Sequence, residues 1–259
     1  MKAFKKVAAL LLVVALLATS LVSCGKKSIV DEIKKSGKLT VITEPGFAPF
    51  EYIDANGEVA GVDIEIAKKI AEKLGVEAEI TAMDFDAIIP AIQAGKANLG
   101  AAGITATEER AKSVDFSINY VDTGLYIIVP EGSAIAGAAD IVEGTAVGVQ
   151  LGTTSDMLVS DITSGISRYK TVADAVVALQ SGKIEAVVAD ELPAKDAVAN
   201  NTGLVLLEEP LSVEQYALAI TKGNEELLEV INEVLGEMIE SGEVDKLIQE
   251  HMELAAAVG

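Results

Sequence analysis

The chain has 259 residues, half of them hydrophobic (50%), yet only 4% are aromatic and none is Trp. Lys and Arg total 20 against 40 Asp and Glu, so the net charge is −20 and the pI lies near 4.4. The length and apolar share suit one large domain or two modest ones packed on Ala, Val, Ile and Leu, and they exclude a disordered chain. The charge speaks against nucleic acid, whose phosphates need a basic face. With one Cys and one His, a disulfide framework and a zinc site are both excluded. Nucleophilic catalysis would have to run through His251, so no catalytic residue, metal or cofactor is expected.

Residues 1–23 have the pattern of an export signal. Lys2, Lys5 and Lys6 precede an apolar run at residues 7–18, which is shorter than the roughly 18–20 residues of a membrane span. Leu21-Val22-Ser23-Cys24 resembles a lipobox, which implies that Cys24 becomes a lipidated N-terminus; a plain signal ahead of a free thiol is the alternative. Stable anchoring takes more than one acyl chain, at ~0.8 kcal/mol per buried CH₂. Cleavage removes three Lys and no acid, which leaves a mature charge of −23.

Residues 24–35 then hold a polar tether and a first helix that Gly37 stops. A strand is expected at 39–43, and two short strands flank the Asp54-Ala55-Asn56-Gly57 turn. Residues 62–74 place Val62, Ile66, Ile70 and Leu74 on one helical face, with Gly75 as the stop. A strand (78–82), a helix (86–94), a small-residue strand (99–102) and a charged helix from about Thr107 follow. Beyond Tyr120 a second run begins, with strands at 125–129, 146–150, 185–189 and 205–207. Its helices are expected at 154–161, 172–181 and 193–199. After a strand at 216–221, two amphipathic helices close the chain. Helix and strand alternate throughout, as in parallel sheets covered by helices.

Ala91-Ile92-Gln93-Ala94-Gly95-Lys96 matches Ala178-Leu179-Gln180-Ser181-Gly182-Lys183 at an offset of 87, and the strands that follow end at Gly103 and Asp190, also 87 apart. Helix-Gly-strand is common enough in α/β chains to arise independently. As a pseudo-repeat it implies two similar lobes whose strand ends face one another, where ligands bind in open α/β sheets.

Only Arg110 and Arg168 among the 20 basic residues are Arg. Arg110 follows Thr107 at a helix start, where a guanidinium can pair with a carboxylate through two bonds and helix N–H groups add attraction for an anion. A surface Arg beside a Glu is the competing reading.

Several segments together resemble the polar amino-acid-binding proteins of bacterial ABC importers, solute-binding protein family 3. They are Phe47-Ala48-Pro49-Phe50-Glu51-Tyr52, Gly61-Val62-Asp63-Ile64-Glu65-Ile66-Ala67, residues 85–96, residues 103–110, Val114-Asp115-Phe116-Ser117, residues 148–154 and residues 185–190. The order and spacing match over about residues 36–251. The resemblance implies the periplasmic-binding-protein type II fold: α/β, two α/β lobes joined by a two-strand hinge. Lobe one would be residues 36–120 and 217–259, lobe two 125–211, with crossings at 121–124 and 212–216.

The resemblance also implies a ligand site. Arg110 would clamp an α-carboxylate with the backbone N–H groups of Thr105 and Thr154. Asp190 would take the α-ammonium with the Gly103 carbonyl and the Thr105 hydroxyl, although it could instead cap the helix near Pro193. Phe47 and Phe85 would sandwich the ligand side chain, and Glu44 and Gln150 would face its tip. Core packing is the alternative for the two rings, and is preferred for Phe50 and Tyr52; surface exposure is the alternative for Glu44 and Gln150. Asn98, Asn119 and Ala189 depart from the family's usual residues and weaken any transfer of side-chain preference.

The implied protein is a monomeric, exported lipoprotein that closes around a polar L-amino acid, a basic one if Glu44 faces its tip, and delivers it to an ABC permease. An amino-acid-sensing receptor is one rival. A dehydratase-like enzyme using Glu44 as an acid is another, disfavoured because no second acid-base group is evident.

Overall fold

The computed structural model describes residues 28–258; the export signal and Cys24 lie outside the described residues. Helix α1 (Ile29–Ser36) is capped by the Ser28 hydroxyl, which accepts the Val30 N–H, and it stops at Gly37 with φ 74°. Val30 and Ile33 are buried in the first core, so this helix is part of a lobe and not of the tether.

The first sheet is built around β1 (Lys38–Thr43), paired in parallel with β5 (Glu77–Ala82) and β6 (Leu99–Gly100). β14 (Ala219–Thr221) and β7 (Val114–Phe116) extend it antiparallel, in the order β5-β1-β6-β14-β7. On one face lies α2 (Val62–Leu74), whose Val62, Ile66, Ile70 and Leu74 join α1 and the C-terminal helices α8 (Glu225–Glu240) and α9 (Glu243–Ala256) in one apolar core. On the other face α3 (Phe85–Gln93) buries Ile88, Ala91 and Ile92. A small antiparallel sheet of β2 (Gly46–Phe47), β3 (Glu51–Ile53) and β4 (Val59–Ala60) sits beside it.

The second sheet runs β10 (Ile166–Tyr169), β9 (Val147–Gln150), β11 (Ala186–Asp190), β8 (Val121–Pro130), β12 (Leu204–Leu206). α6 (Val172–Gln180) and α7 (Glu191–Asn200) cover one face, and α5 (Thr154–Ser160) packs on the other. The offset of 87 extends to the elements themselves. α3 and α6 begin and end 87 residues apart, and so do the first residues of β6 and β11. Gly95 and Gly182 stop the two helices at φ 67° and 70°.

β8 is longer than its sequence pattern suggests, because its first half runs outside the apolar core. Residues 121–125 pair antiparallel with β13 (Ser212–Tyr216), Val121 opposite Tyr216 and Leu125 opposite Ser212. The expected single strand at 216–221 is therefore two. Tyr216 ends a strand of the second sheet's ribbon, and Ala219 begins a strand of the first sheet. Between them Ala217 donates its N–H to the Ile104 carbonyl. Ile166–Tyr169, an edge strand, has no apolar run to announce it.

Candidate functional site

The site lies where strand ends of the two lobes face each other. Phe47, Phe85, Gly103, Thr105, Arg110, Gln150, Thr153, Thr154 and Asp190 line one narrow cavity of about 10 Å³, so its walls nearly meet. Thr153 was not among the residues expected. Glu44 lies just outside the lining and is buried, accepting a hydrogen bond from Gln150 Nε2 at 3.1 Å. A wider hollow of about 510 Å³ runs along α2 and α8, but its Lys69, Lys73, Glu237 and Glu243 pair among themselves and do not converge on one point.

Arg110 is buried on α4 (Glu108–Ala111), only four residues long and capped by the Thr107 hydroxyl, which accepts the Arg110 N–H. So short a helix adds little dipole, and the expected helix contribution to anion binding is slight. The guanidinium donates to the Thr105 carbonyl at 2.7 Å and, across the cleft, to the Gly152 carbonyl at 3.0 Å. Its carbon stands 5.4 Å from the Phe85 ring centroid, a cation–π contact that fixes the plane of the group. Burial pulls its pKa down to about 10 against the opposing charges of Asp190 and Glu214. An anion in the cavity would relieve that desolvation.

Asp190 ends β11. Helix α7 starts at Glu191, two residues earlier than expected, so Asp190 does stand at the cap position, but its side chain caps nothing. It accepts instead from the Tyr216 hydroxyl at 2.7 Å. Burial pushes its pKa up to about 7, and Glu214 adds to the push, while Tyr216 and Arg110 oppose it.

Gly103 adopts φ 52°, and a Cβ there would lie 2.6 Å from Phe47 Cε1, so only glycine permits the ring to back the strand end. Phe47 both lines the cavity and packs 6.1 Å from the rings of Phe50 and Tyr216, so the core and cavity readings hold together. Phe50 and Tyr52 are buried, as expected. Glu44 is raised by burial, with the Gln150 hydrogen bond opposing. Gly46 makes room for it, since a Cβ there would meet Glu44 Oε1 at 2.6 Å.

Three further residues carry the site from behind. Asp63 accepts the Gly103 N–H at 2.9 Å and the Tyr120 hydroxyl at 2.5 Å, and Tyr216 holds Asp190. In the sequence Asp63 has the pattern of a helix-start acid and the tyrosines that of core aromatics. Their partners lie 26 to 57 residues away, beyond any local spacing rule. Asn98 takes the Thr40 N–H and hydroxyl at 2.9 and 2.8 Å, the acceptor role that an Asp would play. Among the described residues no cluster of metal-ligating side chains occurs, and no helix is long and apolar enough to cross a membrane.

The family model of bacterial extracellular solute-binding proteins, family 3, matches residues 39–253. A probable histidine-binding protein of Neisseria gonorrhoeae is 30% identical over 240 residues, covering 89% of this chain and 90% of that one. The arginine-binding extracellular protein ArtP of Bacillus subtilis is 32% identical over 246 residues, covering 92% and 94%. Among solved structures, the substrate-binding protein AbpA of Streptococcus pneumoniae bound to L-arginine superposes with a TM-score of 0.83 at 34% identity, covering 88% of this chain and 99% of that one. A mutant of ArgBP from T. maritima superposes with a TM-score of 0.82 at 42% identity, covering 86% and 99%. The two-lobed, type II periplasmic-binding architecture is shared with these structures.

Proposed function

The chain belongs to the bacterial extracellular solute-binding proteins, family 3, and from that premise we propose that its two lobes close around a cationic L-amino acid, arginine or a close analogue. It is an amino-acid-binding component of an importer and not an enzyme. The observation that supports the ligand class best is the meeting of Arg110 and Asp190, from opposite lobes, on one narrow cavity. A zwitterion needs a cation for its carboxylate and an anion for its ammonium, and closure excludes water from both bonds. The buried Glu44, tied to Gln150, favours a guanidinium or ammonium at the side-chain tip. An arginine-binding relative and an arginine-bound neighbour agree with that preference.

In this reading Arg110, with the Thr105 and Thr154 N–H groups, holds the carboxylate. Asp190, the Gly103 carbonyl and the Thr105 hydroxyl hold the ammonium, and Phe47 and Phe85 flank the aliphatic stem. The ribbon of residues 121–124 and 212–216 is the hinge, and the closed monomer is the form an ABC permease receives. Cys24 carries the lipid that holds the protein at the outer face of a membrane. The direct test is a thermal shift against the twenty L-amino acids. Ligand at about 100 times its Kd adds ~2.7 kcal/mol, a rise of about 5–10 °C for a chain of this size. Arginine and lysine are expected to give the largest rises; no rise with any L-amino acid overturns the reading. For the anchor, Cys24→Ala should move the exported protein from the membrane fraction to the soluble one.

A further inference from the structure

Two acceptors are assigned to the ligand's ammonium, the Asp190 carboxylate and the Gly103 carbonyl; a side chain outside the cavity lining holds the first directly, and another holds the residue carrying the second by its N–H. Tyr216 donates its hydroxyl to Asp190 Oδ1 at 2.7 Å. Asp63 Oδ2 accepts the Gly103 N–H at 2.9 Å. Both holding residues are fully buried. We infer that Tyr216 and Asp63 are positioning residues for ammonium recognition, Tyr216 acting through Asp190 and Asp63 through the backbone of Gly103.

A carboxylate turns about its Cβ–Cγ bond unless one oxygen is tied. With Oδ1 committed to Tyr216, the group presents its other oxygen to an incoming N–H in a fixed plane. The Gly103 carbonyl could likewise swing, because glycine leaves both backbone angles soft. Asp63 fixes the Ala102–Gly103 peptide on the N-terminal side of the Gly103 Cα, and the Phe47 ring backs that Cα, 2.6 Å from where a Cβ would lie, so the carbonyl is carried on a held Cα and turns about ψ alone. The holders are themselves held. Tyr120 donates to Asp63 Oδ1 at 2.5 Å, and its backbone N–H donates to the Tyr216 carbonyl at 2.9 Å. Tyr216 packs edge-on against Phe50, with ring centroids 5.0 Å apart. Tyr120 and Tyr216 stand at the first-lobe ends of the two crossing strands. The ammonium half of the site is thus built onto the ribbon across which the lobes move.

Charge at Asp190 depends on the same contacts. Arg110 from α4 and the Tyr216 hydroxyl favour its ionised form, while burial and Glu214 from β13 oppose it. Glu51 from β3 is a further carboxyl acting on Tyr216, itself pushed toward its neutral form by burial. Removing the hydroxyl should raise the pH at which Asp190 gives up its proton, because the group that stabilised the anion is gone.

The inference rests on the amino-acid reading of the site. It is tested by isothermal titration of wild type, Tyr216→Phe and Asp63→Asn with L-arginine and with 5-guanidinopentanoic acid, the same molecule without its ammonium. Each variant should weaken L-arginine about tenfold or more, the size of one hydrogen bond to a charged group, and leave the desamino acid unchanged. Tyr216→Phe should also move the loss of arginine binding on acidification to higher pH. Equal losses for both ligands, or unchanged arginine affinity and pH profile, would overturn the inference and leave these residues as packing. Tyr216→Phe removes only a hydroxyl, so it decides the matter if Asp63→Asn does not fold. A wild-type protein that binds no L-amino acid would instead overturn the reading of the site.

Discussion

Arg110 and Asp190 show how a single side chain becomes specific by being buried short of partners. Arg110 has only backbone carbonyls and a ring around it, and Asp190 only a phenol at hydrogen-bond distance. Arg110→Lys keeps the charge but loses the planar fork. It should weaken L-arginine binding by about 2–5 kcal/mol, whereas Lys112→Ala, on the exposed side of the same helix, should change nothing measurable by calorimetry. Equal effects would return Arg110 to the surface reading. Glu51 is a different case. Its carboxyl is buried with no hydrogen-bond partner, and burial, with Asp63, Glu44 and Asp190 adding repulsion, raises its pKa well above the ordinary value. A raised folded pKa means that the native state binds the proton more tightly. The stability is therefore full below the unfolded pKa and is lost as pH rises toward the folded one. Glu51→Gln mimics the protonated acid, so its melting temperature should exceed that of wild type at pH 8 and match it near pH 4. A variant less stable than wild type at both would show that Glu51 is ionised and paired.

At the scale of elements, glycines separate two kinds of constraint. Gly95 and Gly182 stop equivalent helices at φ 67° and 70°, and a Cβ at either would meet nothing within 4 Å. Gly95→Ala and Gly182→Ala should therefore each cost only the left-handed backbone, about 1–2 kcal/mol. Gly61 has φ 137°, and a Cβ would lie 2.0 Å from the Phe50 carbonyl oxygen. Gly61→Ala must push α2 away from β3, so its melting temperature should fall well below those of the other two. Denaturation of the three variants side by side checks the ranking.

For the molecule as a whole, the proposed function is an approach of two lobes, and the contact between them has little slack. Gly152 of the second lobe sits so that a Cβ would lie 2.9 Å from Asp86 Cβ of the first. Lys170 and Asp84 bridge the cleft at 2.7 Å, both largely exposed, and such a pair adds at most about 1 kcal/mol. Gly152→Ala should prop the lobes apart. Its backbone strain at φ 78° is common to open and closed forms and cancels in binding, so any loss of affinity reads the collision alone. Small-angle scattering should find a radius of gyration that no longer contracts on adding L-arginine. Contraction equal to that of wild type would mean the contact yields.

Much of this was legible along the chain, because helices and stops obey local periods. Val62, Ile66, Ile70 and Leu74 announced α2 and Gly75 its end. The segments around Arg110 and Asp190 announced the family and brought to one cavity residues that lie 80 positions apart. What no local rule could supply was pairing and depth. The division of residues 216–221 between two sheets, the edge strand at Ile166–Tyr169, the grip of Tyr216 on Asp190 and of Asp63 on Gly103, and the burial that raises Asp190 to about 7 all depend on which distant segments pack together. The sequence by itself determined which residues can form helices, strands and charged pairs. Tertiary structure alone decided which of them lose their water, and the free energy of a charge or a hydrogen bond is set by that loss.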